Sequence, residues 1–174
     1  AFYYKAGGRP WRLNGAREGV CYVGLAYRRK DPTSTDNIAA CAAQMFLDSG
    51  DGIVFMGRFG PWYSPRNKSF HLDKRAARDL LEGTLKTYAQ LEGAPLKEIF
   101  LHCRSGMNQD EFAGFKEACP SGVTLTGVRV QRDRAQVRLL REGSFPVLRG
   151  TFWKLNDRSG LLWASGYKPR LGTY

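Results

Sequence analysis

Long apolar runs, histidines and acidic side chains are all scarce in this sequence, and each shortage removes a class of function. No apolar stretch approaches the roughly 20 residues needed to span a bilayer. The first residues lack the basic, apolar, small-residue order of a signal peptide, so a soluble, cytoplasmic protein with no membrane partner is expected. Only His71 and His102 accompany Cys21, Cys41, Cys103 and Cys119, and no two cysteines stand in CxxC spacing. A structural zinc site therefore has little to build on, and no metal or other cofactor is expected. Three of the cysteines sit inside apolar runs, which points to reduced thiols in the core. Internal repeats, low-complexity tracts and linkers are also missing, so one domain over residues 1–174 is expected. Both ends are abrupt, from Ala1-Phe2-Tyr3-Tyr4 to Tyr174, and the chain reads as a piece of something longer.

What is present is core-forming material and positive charge. With 174 residues and 43% apolar side chains, the chain can bury a sizeable core around a sheet. Twenty-seven Lys and Arg stand against 16 Asp and Glu, a formal charge of +11. That balance favours an anionic partner, nucleic acid before acidic membrane, against the plainer reading of a merely soluble basic protein. The basic residues are scattered and form no polybasic run.

Val20-Cys21-Tyr22-Val23-Gly24-Leu25-Ala26-Tyr27 is nearly unbroken in apolar and aromatic character, as a strand buried on both faces would be. Asp36 can cap a helix from Asn37 to about Asp48, where Ile38, Cys41, Ala42 and Met45 recur at helical spacing; a strand over Ala42 to Leu47 fits as well. Ile53 to Met56 reads as the next strand, followed by a Gly/Pro/Ser/Asn loop through Asn67. From Asp73 to Leu91, Ala77, Leu80, Leu81, Leu85 and Tyr88 fall on one helical face and charged residues on the other. Ile99 to Cys103 reads as a core strand with Arg104-Ser105-Gly106 at its carboxyl end, where an α/β protein places its chemistry, and a helix follows near Gln109 to Ala118. Thr124 to Gln131, Gln136 to Arg141, Val147 to Leu155 and Leu161 to Ala164 alternate with turn signals, which predicts antiparallel strands in the last third. The expected class is α/β, a mixed sheet flanked by helices with a late antiparallel addition.

Tyr3-Tyr4-Lys5-Ala6-Gly7-Gly8-Arg9-Pro10-Trp11 and Gly19-Val20-Cys21-Tyr22-Val23-Gly24-Leu25 resemble the opening of the PIWI domain of prokaryotic Argonautes. Residues Gln44 to Val54, Phe100-Leu101-His102, Glu111 to Phe115 and Trp163 to Tyr167 look like successive blocks of the same family, over nearly the whole chain. The resemblance implies a ribonuclease H-like fold whose sheet cradles a guide strand, RNA or DNA, paired to its complementary target. Active members of the family hold two divalent metals with four acids, because in-line phosphodiester hydrolysis needs one ion on each of the attacking and leaving oxygens. Where the family has its first acid this sequence has Ala26, and where it has its second there is Ser105. Neither supplies a carboxylate. The resemblance therefore implies an inactive module that binds guide and target, signals to an effector protein and acts in defence against invading DNA. A fourth acid and the pocket for the guide's 5′ end would lie near or beyond Tyr174 or in missing neighbours.

Asp48, Asp51 and Asp157 could supply relocated acids, whereas Asp110 and Glu111 lie at a helix start, where carboxylates favour the helix dipole. Arg28, Arg29, Arg66, Lys68, Arg104, Arg132, Arg134, Lys168 and Arg170 are the candidate phosphate contacts, Arg104 and Arg170 foremost, although each is equally accounted for as a solvated surface cation. Trp11, Trp62, Trp153 and Trp163 could stack on bases, but Trp153 and Trp163 lie in apolar strand patterns that point to the core. His102 beside Cys103 would allow a nucleophilic pair only with a third orienting group, and none is identifiable. Two rivals stay open: an active guided endonuclease with relocated acids, and a degenerate scaffold that binds only protein.

Overall fold

The computed structural model describes residues 17–47, 52–90, 95–132 and 137–165. The chain divides into two compact units, Ala1–Gln131 and Arg132–Tyr174. The first is built on a mixed five-stranded sheet of order β3-β2-β1-β6-β7. Strands β1 (Val20–Arg29), β2 (Ala39–Phe46) and β3 (Gly52–Gly60) pair antiparallel. Strands β6 (Glu98–Cys103) and β7 (Thr124–Arg129) then extend the sheet on the other side of β1, all three parallel. Parallel neighbours need long crossovers. Helix α1 (Lys74–Gln90) lies in the connection leading into β6, and α2 (Gln109–Ala118) joins β6 to β7. A small hairpin, β4 (Tyr63–Ser64) with β5 (Ser69–Phe70), fills the stretch between β3 and α1.

One residue in two along each central strand enters a single core. Cys21, Val23 and Leu25 of β1 meet Ala39, Cys41, Ala43 and Met45 of β2 and Ile99, Leu101 and Cys103 of β6, all buried. Ala77, Leu81 and Tyr88 of α1 and Phe115 of α2 close over them, so both helices contribute to the core on this face. Each large apolar side chain buried there contributes about 1.5–3 kcal/mol. The helices also meet one another closely. A Cβ on Gly114 would stand 2.1 Å from the Lys74 carbonyl oxygen, so only glycine lets α2 seat against the start of α1.

Both helices begin where their caps place them. Asp73 accepts the Ala76 amide at 2.8 Å, and Asn108 accepts the Glu111 amide at 2.8 Å, each satisfying an amide that the first helical turn leaves without a partner. The segment expected to be a helix from Asn37 is instead strand β2. Its apolar positions fit both periods, and pairing on both edges with β1 and β3 outweighs the helical preference of its alanines. Asp36 caps nothing; its amide donates to Ser34 Oγ at 3.0 Å.

The last third also departs from expectation. Strand β7 is parallel to β6 and belongs to the main sheet, not to an antiparallel addition. Residues 137–141 form no strand. The antiparallel part is the hairpin of β8 (Phe152–Asn156) and β9 (Ser159–Leu162) in the second unit. Trp153 lies on it 54% exposed and is not a core residue. Among the described residues no helix is long and apolar enough to cross a membrane.

Candidate functional site

The two positions at which the family resemblance expects acids lie toward the carboxyl ends of the paired strands β1 and β6. Gly24 pairs with His102 in parallel register. Continued two residues, that register sets Ala26 beside Arg104, with Ser105 next in the chain. Ala26 is exposed and faces Ala42 across the antiparallel side. Neither a methyl group nor a neutral hydroxyl fits a divalent metal that needs bridging carboxylates. Among the described residues no three His, Cys, Asp or Glu side chains are grouped so as to hold a metal ion.

The other acids are accounted for separately. Asp157 is ion-paired with Lys154 at 2.6 Å in the β8–β9 hairpin. Asp48 and Asp51 lie outside the described residues; the strand ends that flank them, Phe46 and Gly52, stand level with Tyr22 and not with Ala26. Asp110 is exposed in the first turn of α2, as the helix dipole favours.

Glu111 departs from the expected role of a helix-start carboxylate. Its side chain is 1% exposed. Tyr27 Oη donates to Glu111 Oε1 at 2.6 Å and the Leu72 amide donates to the same oxygen at 3.1 Å. His71 Nδ1 lies 3.3 Å from Oε2. A buried carboxylate persists only when hydrogen-bonded in this way. The bonds tie the start of α2 to β1 and to the segment entering α1, one residue from both Ala26 and Arg28. The same environment raises the Tyr27 hydroxyl well above its ordinary value, through burial first and then through the Cys41 and Glu111 charges. Burial, opposed by the Tyr27 hydrogen bond and helped by a smaller push from Glu111, brings the Cys41 thiol up to about 12. The sequence signal for this cluster was the Asn108-x-x-Glu111 spacing, which reads as a capping box; here the asparagine half caps while the glutamate turns inward.

The candidate cations divide. Arg28 and Arg104 are exposed beside Ala26 and Ser105, and among the described residues neither forms an ion pair. Arg66 and Lys68 are exposed in the turn of the β4–β5 hairpin, where Lys68 takes a positive φ of 49°. Arg132 is exposed in the second unit. Arg134, Lys168 and Arg170 lie outside the described residues. The Cys–His pair is dissolved by strand alternation: Cys103 enters the core while His102 lies on the opposite face. Burial and the Glu111 charge raise the Cys103 thiol, and Arg129 lowers it by less. Its thiol donates to the Ser105 carbonyl oxygen.

Comparison of the sequence with protein-family models and with characterised proteins returns no match. A cavity of about 570 Å³ adjoins the site, lined by Cys103, Gly106, Met107, Phe112, Gly127 and Arg129. It opens at the carboxyl ends of the parallel strands β6 and β7 against the start of α2, the region in which such sheets commonly bind ligands. Of the tryptophans, Trp62 is buried, Trp153 and Trp163 are exposed to different degrees, and Trp11 lies outside the described residues.

Proposed function

We propose that this chain is a PIWI-type, ribonuclease H-like domain that binds a guide strand paired to its target and does not cut it. One observation carries the reading. The parallel register of β1 with β6, continued past Gly24 and His102, sets Ala26 beside Arg104 and next to Ser105, residues far apart in the chain, and Arg28 and Arg104 are exposed there. Exposed guanidinium groups that form no ion pair among the described residues attract phosphate, and Ala26 and Ser105 supply no carboxylate for a catalytic metal. The mixed sheet with β1 at its centre and the net charge of +11 support the same reading. A guide–target duplex is then gripped through its backbone, with sequence read by base pairing. Passing the binding event to an effector in defence against invading DNA is the role proposed for such a module.

The test is fluorescence anisotropy with a labelled guide–target duplex and with each single strand, at low and moderate salt, together with a cleavage gel containing Mg²⁺ or Mn²⁺. Binding that falls steeply with salt and leaves the strands intact is the expected result. Metal-dependent cleavage by a clean preparation, lost on substitution of Asp48 or Asp51, would establish the relocated-acid nuclease instead.

A further inference from the structure

Among the described residues of the first unit, helices close one face of the main sheet. The residues that alternate with the core positions, Tyr22, Gly24, Ala26 and Arg28 of β1 with Phe100 and His102 of β6, lie on the other face and are half-buried or exposed. Val54 and Phe59 continue this face onto β3, 60% and 63% exposed, through their register with Gln44 and Ala40.

The chemistry along this face is graded. At one end the Tyr22 and Phe100 rings stack with centroids 5.5 Å apart and planes 16° apart, and Tyr22 and His102 run nearly parallel at 6.2 Å and 24°. The Arg17 guanidinium, paired with Glu98 at 2.7 Å, lies over the Phe100 ring, 5.9 Å from its centroid. Next along β1 come Gly24 and Ala26, too small to obstruct anything lying on the sheet. At the far end stand Arg28 and, just past β6, Arg104. From Tyr22 to Arg28 the strand runs roughly 20 Å at about 3.3 Å per residue, the length of a few nucleotides.

We infer that this face binds unpaired nucleotides, with bases stacked on Tyr22, Phe100 and His102 and a neighbouring phosphate held by Arg28 and Arg104. The inference rests on the nucleic-acid reading above and deepens it, because a backbone grip alone makes no use of an aromatic platform. Charge complementarity selects this occupant: two arginines without an ion pair among the described residues suit phosphate, and parallel rings suit bases of any sequence. Burial lowers the affinity of His102 for its proton, so that at neutral pH it serves as an uncharged ring.

The discriminating probe is an oligothymidine of about eight nucleotides compared with an abasic strand of equal length, which keeps the phosphates and lacks the bases. Stacking worth about 1–3 kcal/mol per base predicts that the 174-residue chain binds oligothymidine at least fivefold more tightly than the abasic strand. Tyr22→Leu with Phe100→Leu should abolish that preference and leave abasic binding unchanged, with circular dichroism reporting the fold. Arg28→Gln with Arg104→Gln should weaken both ligands. Equal binding of the two strands by the unsubstituted chain, beside tight duplex binding, would overturn the platform and leave the duplex reading intact. No binding of any nucleic acid would overturn both. Self-association abolished by Tyr22→Leu, with no base preference, would make the face a protein contact and overturn the inference.

Discussion

Replacing Glu111 with alanine removes the acceptor from two buried donors at once, the Tyr27 hydroxyl and the Leu72 amide. A buried donor left without a partner costs about 1–3 kcal/mol, so the pair sets an expected loss of about 2–6 kcal/mol. For a chain of this size 1 kcal/mol corresponds to roughly 2–4 °C in Tm, and a mid-range loss of about 4 kcal/mol lowers Tm by about 8–16 °C. Glutamine is the informative control. Its amide oxygen can accept both bonds that Oε1 accepts, and only the contact with His71 changes, so Glu111→Gln should shift Tm by less than half as much. Thermal unfolding followed by circular dichroism, with calorimetry to check two-state behaviour, reads both variants. Equal shifts for Ala and Gln, or an Ala shift under about 2 °C, would refute the argument that Glu111 clamps α2 to β1.

Gly114→Ala should destabilise by about 1–3 kcal/mol or more in denaturant titration, since its Cβ would meet the Lys74 carbonyl oxygen at 2.1 Å and the backbone cannot swing aside. His102 holds its proton less tightly folded than unfolded. Its contribution to stability is therefore present above the unfolded value of about 6.5 and lost as pH falls through the lower folded value. Against His102→Phe, which keeps the ring and cannot titrate, the unsubstituted chain should lose stability below about pH 6.5. Ala26→Asp with Ser105→Asp places two carboxylates between Arg28 and Arg104; nucleic-acid binding should weaken in chelator and recover with Mn²⁺, as anisotropy would report.

The central elements were legible because their patterns left one solution. The apolar run from Val20 gave β1, the one-sided stripe from Ala77 to Tyr88 gave α1, and α2 was expected near Gln109 to Ala118, where it lies. Strand β2 was not legible: Ala39 to Met45 satisfies a period of two and a helical period equally, and only its two neighbours decide between them. Direction of pairing is likewise a tertiary property, which is why β7 was expected among antiparallel strands and pairs parallel with β6.

At the candidate site, Ala26, Ser105, Arg28 and Arg104 could be named from the residues, while the parallel register of β1 with β6 could not. Glu111 was misread because spacing shows only that it lies in the first turn of α2; its inward orientation depends on Tyr27 and Leu72, distant in sequence. The stacking face was missed for the same reason. Tyr22, Phe100 and His102 sit in runs that read as core on both sides, and only the position of the helices shows which side they cover among the described residues. Attention to the tryptophans instead led to Trp153, which lies in the other unit.

The most direct measurement of the central claim is the salt dependence of guide–target duplex binding, with and without the two arginines at the strand ends. Each phosphate neutralised contributes about −0.9 to the slope of log K against log salt. The unsubstituted chain should bind at low salt with a clearly negative slope, and Arg28→Gln with Arg104→Gln should make that slope shallower by roughly 2. Absence of binding at low salt, or a slope that the double substitution leaves unchanged, would contradict the account.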